Sequence, residues 1–153
     1  MIVIGYDGSE NARAALTQAA TLMPGYPAVV LTVWGTAEPR LGEAAPAGQD
    51  QTWAEEVVAE GVELAHQVGI DCTSRTRHRT GTVAGAILEE ADEIGASAIV
   101  VGRRAGTPME PAGLGTVVST LLRESPCAVL VARPAGHGDD LDGQRRRSLS
   151  HTM

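Results

Sequence analysis

The chain contains no lysine and no phenylalanine. Each of its 12 basic residues is an arginine, which excludes mechanisms built on a P-loop lysine, a Schiff-base lysine or a lysine general base. Positive charge is also the minority sign, because 19 acidic residues leave a formal net charge of −7. Clustered cations are what bind phosphate backbones, so a nucleic acid is not an expected partner. Cysteine is limited to Cys72 and Cys127, 55 positions apart and with no Cys or His at metal-ligand spacing. The pair reads as small buried hydrophobes in a reducing compartment, not as a disulfide framework or a zinc site. No apolar run approaches the roughly 18 residues of a membrane span. The opening MIVIGYDGS lacks the charged n-region and long h-region of a signal peptide. A soluble cytoplasmic protein without membrane contact is expected.

What is present is a regular alternation. At 153 residues the chain fits one domain, long enough to bury about two-thirds of the surface its unfolded form exposes. Ile2 to Tyr6 is a short apolar run closed by Asp7-Gly8-Ser9, a strand ending in a turn, with Ser9 placed to cap the next segment. From Glu10 to Met23 the residues Ala12, Ala15, Leu16, Ala19, Ala20 and Met23 recur at helical spacing. Pro24, Gly25 and Pro27 end that helix, and Ala28 to Trp34 is a second buried strand. Gly35 to Asp50 reads as a surface loop. A helix comes next over Thr52 to Gln67, its stripe drawn through Trp53, Val57, Ala59, Gly61, Leu64, Ala65 and Val68.

Ile70 to His78 alternates, with Ile70, Cys72, Ser74 and Thr76 on one side and Arg75, Arg77 and Arg79 on the other, as in a half-exposed edge strand. Gly81-Thr82 opens a helix through Ile94, with Val83, Ala86, Ile87, Glu90, Ala91 and Ile94 at helical spacing and Gly95 to end it. Ser97 to Val101 is the most buried-looking strand, succeeded by a Gly-rich loop from Gly102 to Thr116. Val117 to Arg123 is a last helix and Cys127 to Ala132 a last strand. Pro134 to Met153 is almost without apolar residues and is expected to be disordered. Alternation of this kind implies a parallel sheet with helices on both faces, and ligands gather at the carboxyl ends of such strands. Here those ends are the turns after Tyr6, Trp34 and Val101.

Two places carry candidate chemistry. Asp7 comes after the first strand, where a carboxylate can accept from ribose hydroxyls or an adenine amino group, or can simply be a turn residue. The Gly102 to Thr116 loop offers main-chain donors beside a helix N-terminus and the Thr116 hydroxyl, the ingredients of an anion site. His66, His78, His137 and His151 have no acidic or nucleophilic partner at motif spacing and read as solvated.

Several short motifs in one order carry a family resemblance: Gly5-Tyr6-Asp7-Gly8-Ser9, Gly81-Thr82-Val83-Ala84 before Ile87-Leu88-Glu89-Glu90-Ala91, Ile99-Val100-Val101-Gly102, Gly115-Thr116-Val117, and Pro126-Cys127-Ala128-Val129-Leu130-Val131. Together, over residues 1–133, they resemble the universal stress protein family. The resemblance implies a five-stranded parallel sheet of order 3-2-1-4-5, flavodoxin-like or adenine nucleotide alpha-hydrolase-like. It also implies a homodimer, here through the Cys127–Ala132 edge strand. The nucleotide-binding branch of that family carries Gly, two residues, Gly, nine residues, Gly, then Ser or Thr. On this chain the first Gly is Gly102, the last is Gly115 and the hydroxyl residue is Thr116, while the second falls on Ala105, with Gly106 immediately after it.

By the same resemblance Asp7, Val33 and Gly102 match adenosine contacts, Gly106, Gly115, Thr116 and Val117 are placed for phosphates, and Gly5, Val101 and Ala105 complete the set. The expected ligand is ATP or AMP, with or without Mg2+, bound by a stress-response regulator that performs no dedicated catalysis beyond slow ATP hydrolysis. A regulatory protein is a further expected partner. The alternatives are a relative that binds no nucleotide and works through protein contacts, and an enzyme of adenylyl transfer or hydrolysis.

Overall fold

The computed structural model describes residues 1–35, 49–79, 81–103 and 115–134. Ala105, Gly106 and most of the Gly-rich loop lie outside the described residues, as do the interior of the Gly35–Asp50 connection, the tail beyond Pro134, His137 and His151. The β-branched runs form β1 (Ile2–Gly5), β2 (Ala28–Trp34), β3 (Cys72–His78), β4 (Ala98–Gly102) and β5 (Ala128–Ala132). Between them lie α1 (Glu10–Leu22), α2 (Gln51–Gln67), α3 (Val83–Ile94) and α4 (Thr116–Glu124). The strands pair in the order β3-β2-β1-β4-β5, all parallel.

Strand alternation divides the core. Ile2 and Ile4 face Ala12, Ala15, Leu16 and Ala19 of α1 and Val58 and Ala65 of α2. Val3 faces the opposite side, against Ala84, Ile87 and Ala91 of α3 and Val118 and Leu121 of α4. Both faces of β1 are thus covered by helices, as an all-parallel sheet requires. Side chains cap three helix starts: Ser9 Oγ accepts from Ala12 N–H at 3.2 Å, Asp50 from Trp53 N–H at 2.9 Å and Thr82 from Gly85 N–H at 3.0 Å. Gly95, in the left-handed region at φ +62°, ends α3 as expected of a C-terminal glycine.

Two expectations change in detail. The buried stripe of α2 runs through Ala54, Val58, Gly61 and Ala65, whereas Ala59 and Val68 are exposed. The reason is Tyr6, whose ring lies under Gly61 so closely that a Cβ there would sit 2.7 Å away. The arginine side of β3 is not simply solvated either. Arg77 donates to Glu90 at 2.7 and 3.1 Å and pairs also with Glu89 and Glu93, and Arg75 Nε lies 3.1 Å from Glu90. Glu90 is 1% exposed, so these guanidiniums from a neighbouring element are what balance a carboxylate taken out of water.

Candidate functional site

β1 has its successor β2 on one side and β4 on the other, so the connections leaving β1 and β4 diverge to opposite faces. That divergence opens a crevice at the carboxyl ends, the usual ligand position in doubly wound sheets. The crevice found there has a cavity volume of about 150 Å³ and opens to solvent at its mouth. Of the residues picked out in the sequence, Gly5, Asp7, Val33, Val101, Gly102, Gly115 and Val117 line it. Thr116 is the first residue of α4 and is exposed beside the lining without forming part of it. Ala105 and Gly106 lie outside the described residues. The lining also includes Tyr6, Asn11, Gln49, Trp53 and Val83, which sequence reasoning did not select.

The floor is set by close packing. β4 ends against the first turn of α1, where a methyl on Gly102 would overlap the Asn11 carbonyl group and lie 2.8 Å from Ala12 N. Only glycine lets the strand end approach that helix. Tyr6 extends β1 by its N–H to Leu31 O at 2.8 Å, and its carbonyl accepts from Thr32 Oγ1 at 2.8 Å. Its hydroxyl donates to Glu60 Oε1 at 2.5 Å, and Arg13 donates to the same oxygen at 3.0 Å. α1, β1 and α2 are therefore tied directly behind the crevice. Burial, reinforced by the neighbouring Glu60 carboxylate, pushes the Tyr6 phenol up to about 12, so it stays a neutral donor. Glu60 is held below its ordinary range by the Tyr6 hydrogen bond and by Arg13.

Polar groups converge on the crevice from two sides. Asp7 is exposed, and its Oδ1 accepts from Ser9 N–H at 3.0 Å, the behaviour of a turn aspartate. That bond orients the carboxylate and uses one of several lone pairs, leaving acceptor capacity toward the crevice. Across from it α4 begins at Gly115, which supplies no side-chain cap. Among the described residues the first main-chain N–H groups of α4 have no side-chain partner, and the helix dipole adds partial positive charge where Gly115 and Val117 line the crevice. One acidic turn and one uncapped helix start suit a ligand with hydroxyl donors at one end and an anion at the other. Among the described residues no group of His, Cys, Asp and Glu could hold a metal ion, and Asp7 is the one carboxylate in the described lining.

The fold is that of a doubly wound α/β domain with an open crevice at its switch point. A profile of the universal stress protein family matches residues 1–133, and the chain belongs to that family. Solved structures share the fold. A universal stress protein in complex with cAMP is 22% identical with a TM-score of 0.68, covering 88% of this chain and 97% of its own. The universal stress protein from Archaeoglobus fulgidus in complex with dAMP is 23% identical with a TM-score of 0.63, covering 86% and 95%. A family protein from Arabidopsis thaliana with AMP bound is 15% identical with a TM-score of 0.65, covering 90% and 93%. No curated protein sequence matches the chain. Among the described residues no helix is long and apolar enough to cross a membrane.

Proposed function

We propose that this protein is a stress-response regulator that binds an adenine nucleotide, AMP or ATP, in the crevice between the Asp7 turn and the start of α4, and holds it without dedicated catalysis. The observation that carries the reading is the contrast among helix starts. Ser9, Asp50 and Thr82 close three of them, while α4 opens uncapped onto the crevice. The relatives described with cAMP, dAMP and AMP support an adenosine monophosphate as the common core of the ligand. Asp7, Val33 and Gly102, with Gly5 and Val101 behind them, would hold the adenosine. Gly115, Val117 and Thr116 would meet the phosphate through main-chain and hydroxyl donors, with Ala105 and Gly106 on the same loop. When ATP is the ligand, Mg2+ would be carried mainly by its own phosphates. The two free thiols, Cys72 and Cys127, suit a reducing cytoplasm.

The two halves of the site are separable by experiment. A hydrogen bond to a charged group is worth about 1.5–3 kcal/mol. Asp7→Ala is therefore expected to weaken AMP and adenosine alike by about ten-fold or more in calorimetric titration. Thr116→Val is expected to weaken AMP while leaving adenosine unchanged. Equal loss of adenosine in both variants would show that the division of roles is wrong. Absence of any nucleotide effect would favour action through protein contacts.

A homodimer through β5 belongs to the same proposal. Among the described residues β5 pairs with β4 alone, and the strand carries no charge or proline between Ala128 and Ala132. An unprotected edge invites pairing with a second copy. Val129→Lys should shift the protein toward monomer in analytical ultracentrifugation. A wild-type protein that is monomeric at tens of micromolar, roughly where a modest interface fills, would contradict it.

A further inference from the structure

The side of α2 that looks onto β1 can be traced turn by turn. Gly61 rests on the Tyr6 ring, and Val57 Cγ1 comes within 3.7 Å of where a side chain on Gly8 would begin. Residues four apart share a helix face. Trp53, one turn before Val57, continues the same line beyond the Gly8 turn and emerges in the crevice lining with Asp7 and Val33. The Tyr6 and Arg13 bonds to Glu60, two turns further along that helix, hold α2 in this position. Trp53 is half-buried, and its main-chain N–H is fixed by the Asp50 cap at 2.9 Å, so the indole sits on a well-anchored first turn.

Aromatic rings are scarce here, and two of the four have evident duties. Tyr6 ties the helices, and Trp34 packs on His78 with ring centroids 4.3 Å apart. A half-buried indole in a lining that also carries the aliphatic Leu31, Val33 and Val83 is a surface for a planar π-system. We propose that Trp53 is the base platform of this site, stacking on the purine and setting a preference for purine over pyrimidine nucleotides. The proposal rests on the nucleotide reading above and adds a specificity-determining residue to it.

The chain has 2 tryptophans, so each can be observed alone. In Trp34→Phe, AMP is expected to change the Trp53 emission saturably, with the same midpoint as calorimetry, and CMP to do so only at much higher concentration. In Trp53→Phe, the remaining Trp34 emission should respond little while AMP still binds, because phenylalanine retains a stacking face. Trp53→Ala should weaken AMP by about ten-fold or more and narrow the gap between AMP and CMP, in line with the usual worth of a base–aromatic stack. AMP binding measured by heat with Trp53 emission unmoved would overturn the platform while leaving the nucleotide reading intact. So would Trp53→Ala binding AMP within about two-fold of wild type, since loss of a stack costs more than that. If wild-type protein takes up no AMP by heat or by emission, the nucleotide reading fails and the platform with it.

Discussion

Gly102→Ala is expected to lose about 3 kcal/mol of stability or more and to melt ~10 °C lower. The added methyl would overlap backbone, the Asn11 carbonyl group and Ala12 N at 2.8 Å, and not the movable end of a side chain. To accommodate it, β4 must draw back from the start of α1. That movement would undo both the β4 register, in which Gly102 sits opposite Ala132, and the crevice floor. Gly81→Ala is the matched control, because nothing lies within 4 Å of a Cβ there and its φ is not in the left-handed region. Chemical denaturation of both variants decides the point. If Gly102→Ala is as stable as Gly81→Ala, the strand end is not held against the helix.

The second large effect is expected at Glu90. This carboxylate is 1% exposed and takes its nearest donors from Arg77 at 2.7 and 3.1 Å, while its Oε1 faces Arg75 without hydrogen-bond alignment. Arg77→Met leaves Glu90 buried beside the half-exposed Arg75 alone, and removing one partner of a buried pair costs about 3–5 kcal/mol. The lower end is expected, because Arg75 can partly compensate. Arg77→Met combined with Glu90→Met should recover most of the loss, since two apolar chains of similar volume bury no charge. A cost for Arg77→Met below about 1 kcal/mol, the range of exposed pairs, would show that Glu90 is hydrated after all.

These two positions also show how far the sequence can be read. The strands were legible because β-branched runs such as Ala28–Val33 and Ala98–Val101 have no other economical place in a fold of this size. Ser9 and Thr82 were legible as helix starts because a hydroxyl before a periodic run has a local job. Glu90 falls at helical spacing among apolar residues, yet its partners come from β3, and no local pattern announces a pairing made across two elements. The inward turn of α2 depends likewise on Tyr6, 55 positions from Gly61; periodicity alone placed Gly61 and Ala65 in the stripe but also the exposed Ala59 and Val68, and left out the buried Ala54 and Val58. In the site, Asp7, Gly102 and Gly115 were visible because each lies at an element boundary. Trp53, Gln49 and Asn11 enter the crevice from segments whose local patterns say only helix or loop. One signal was available for Trp53: it is the first large apolar residue after the Asp50 cap, on a helix start that comes after β2 and so lies at the carboxyl side of the sheet.

The most direct measurement is a calorimetric titration of the wild-type protein with AMP, repeated with Asp7→Ala. A saturable heat with a Kd below about 1 mM, weakened about ten-fold or more by the substitution, is the result expected of a crevice built from the Asp7 turn and the open start of α4. No heat with AMP, ATP or adenosine at millimolar concentration, or the same affinity in Asp7→Ala, would contradict it.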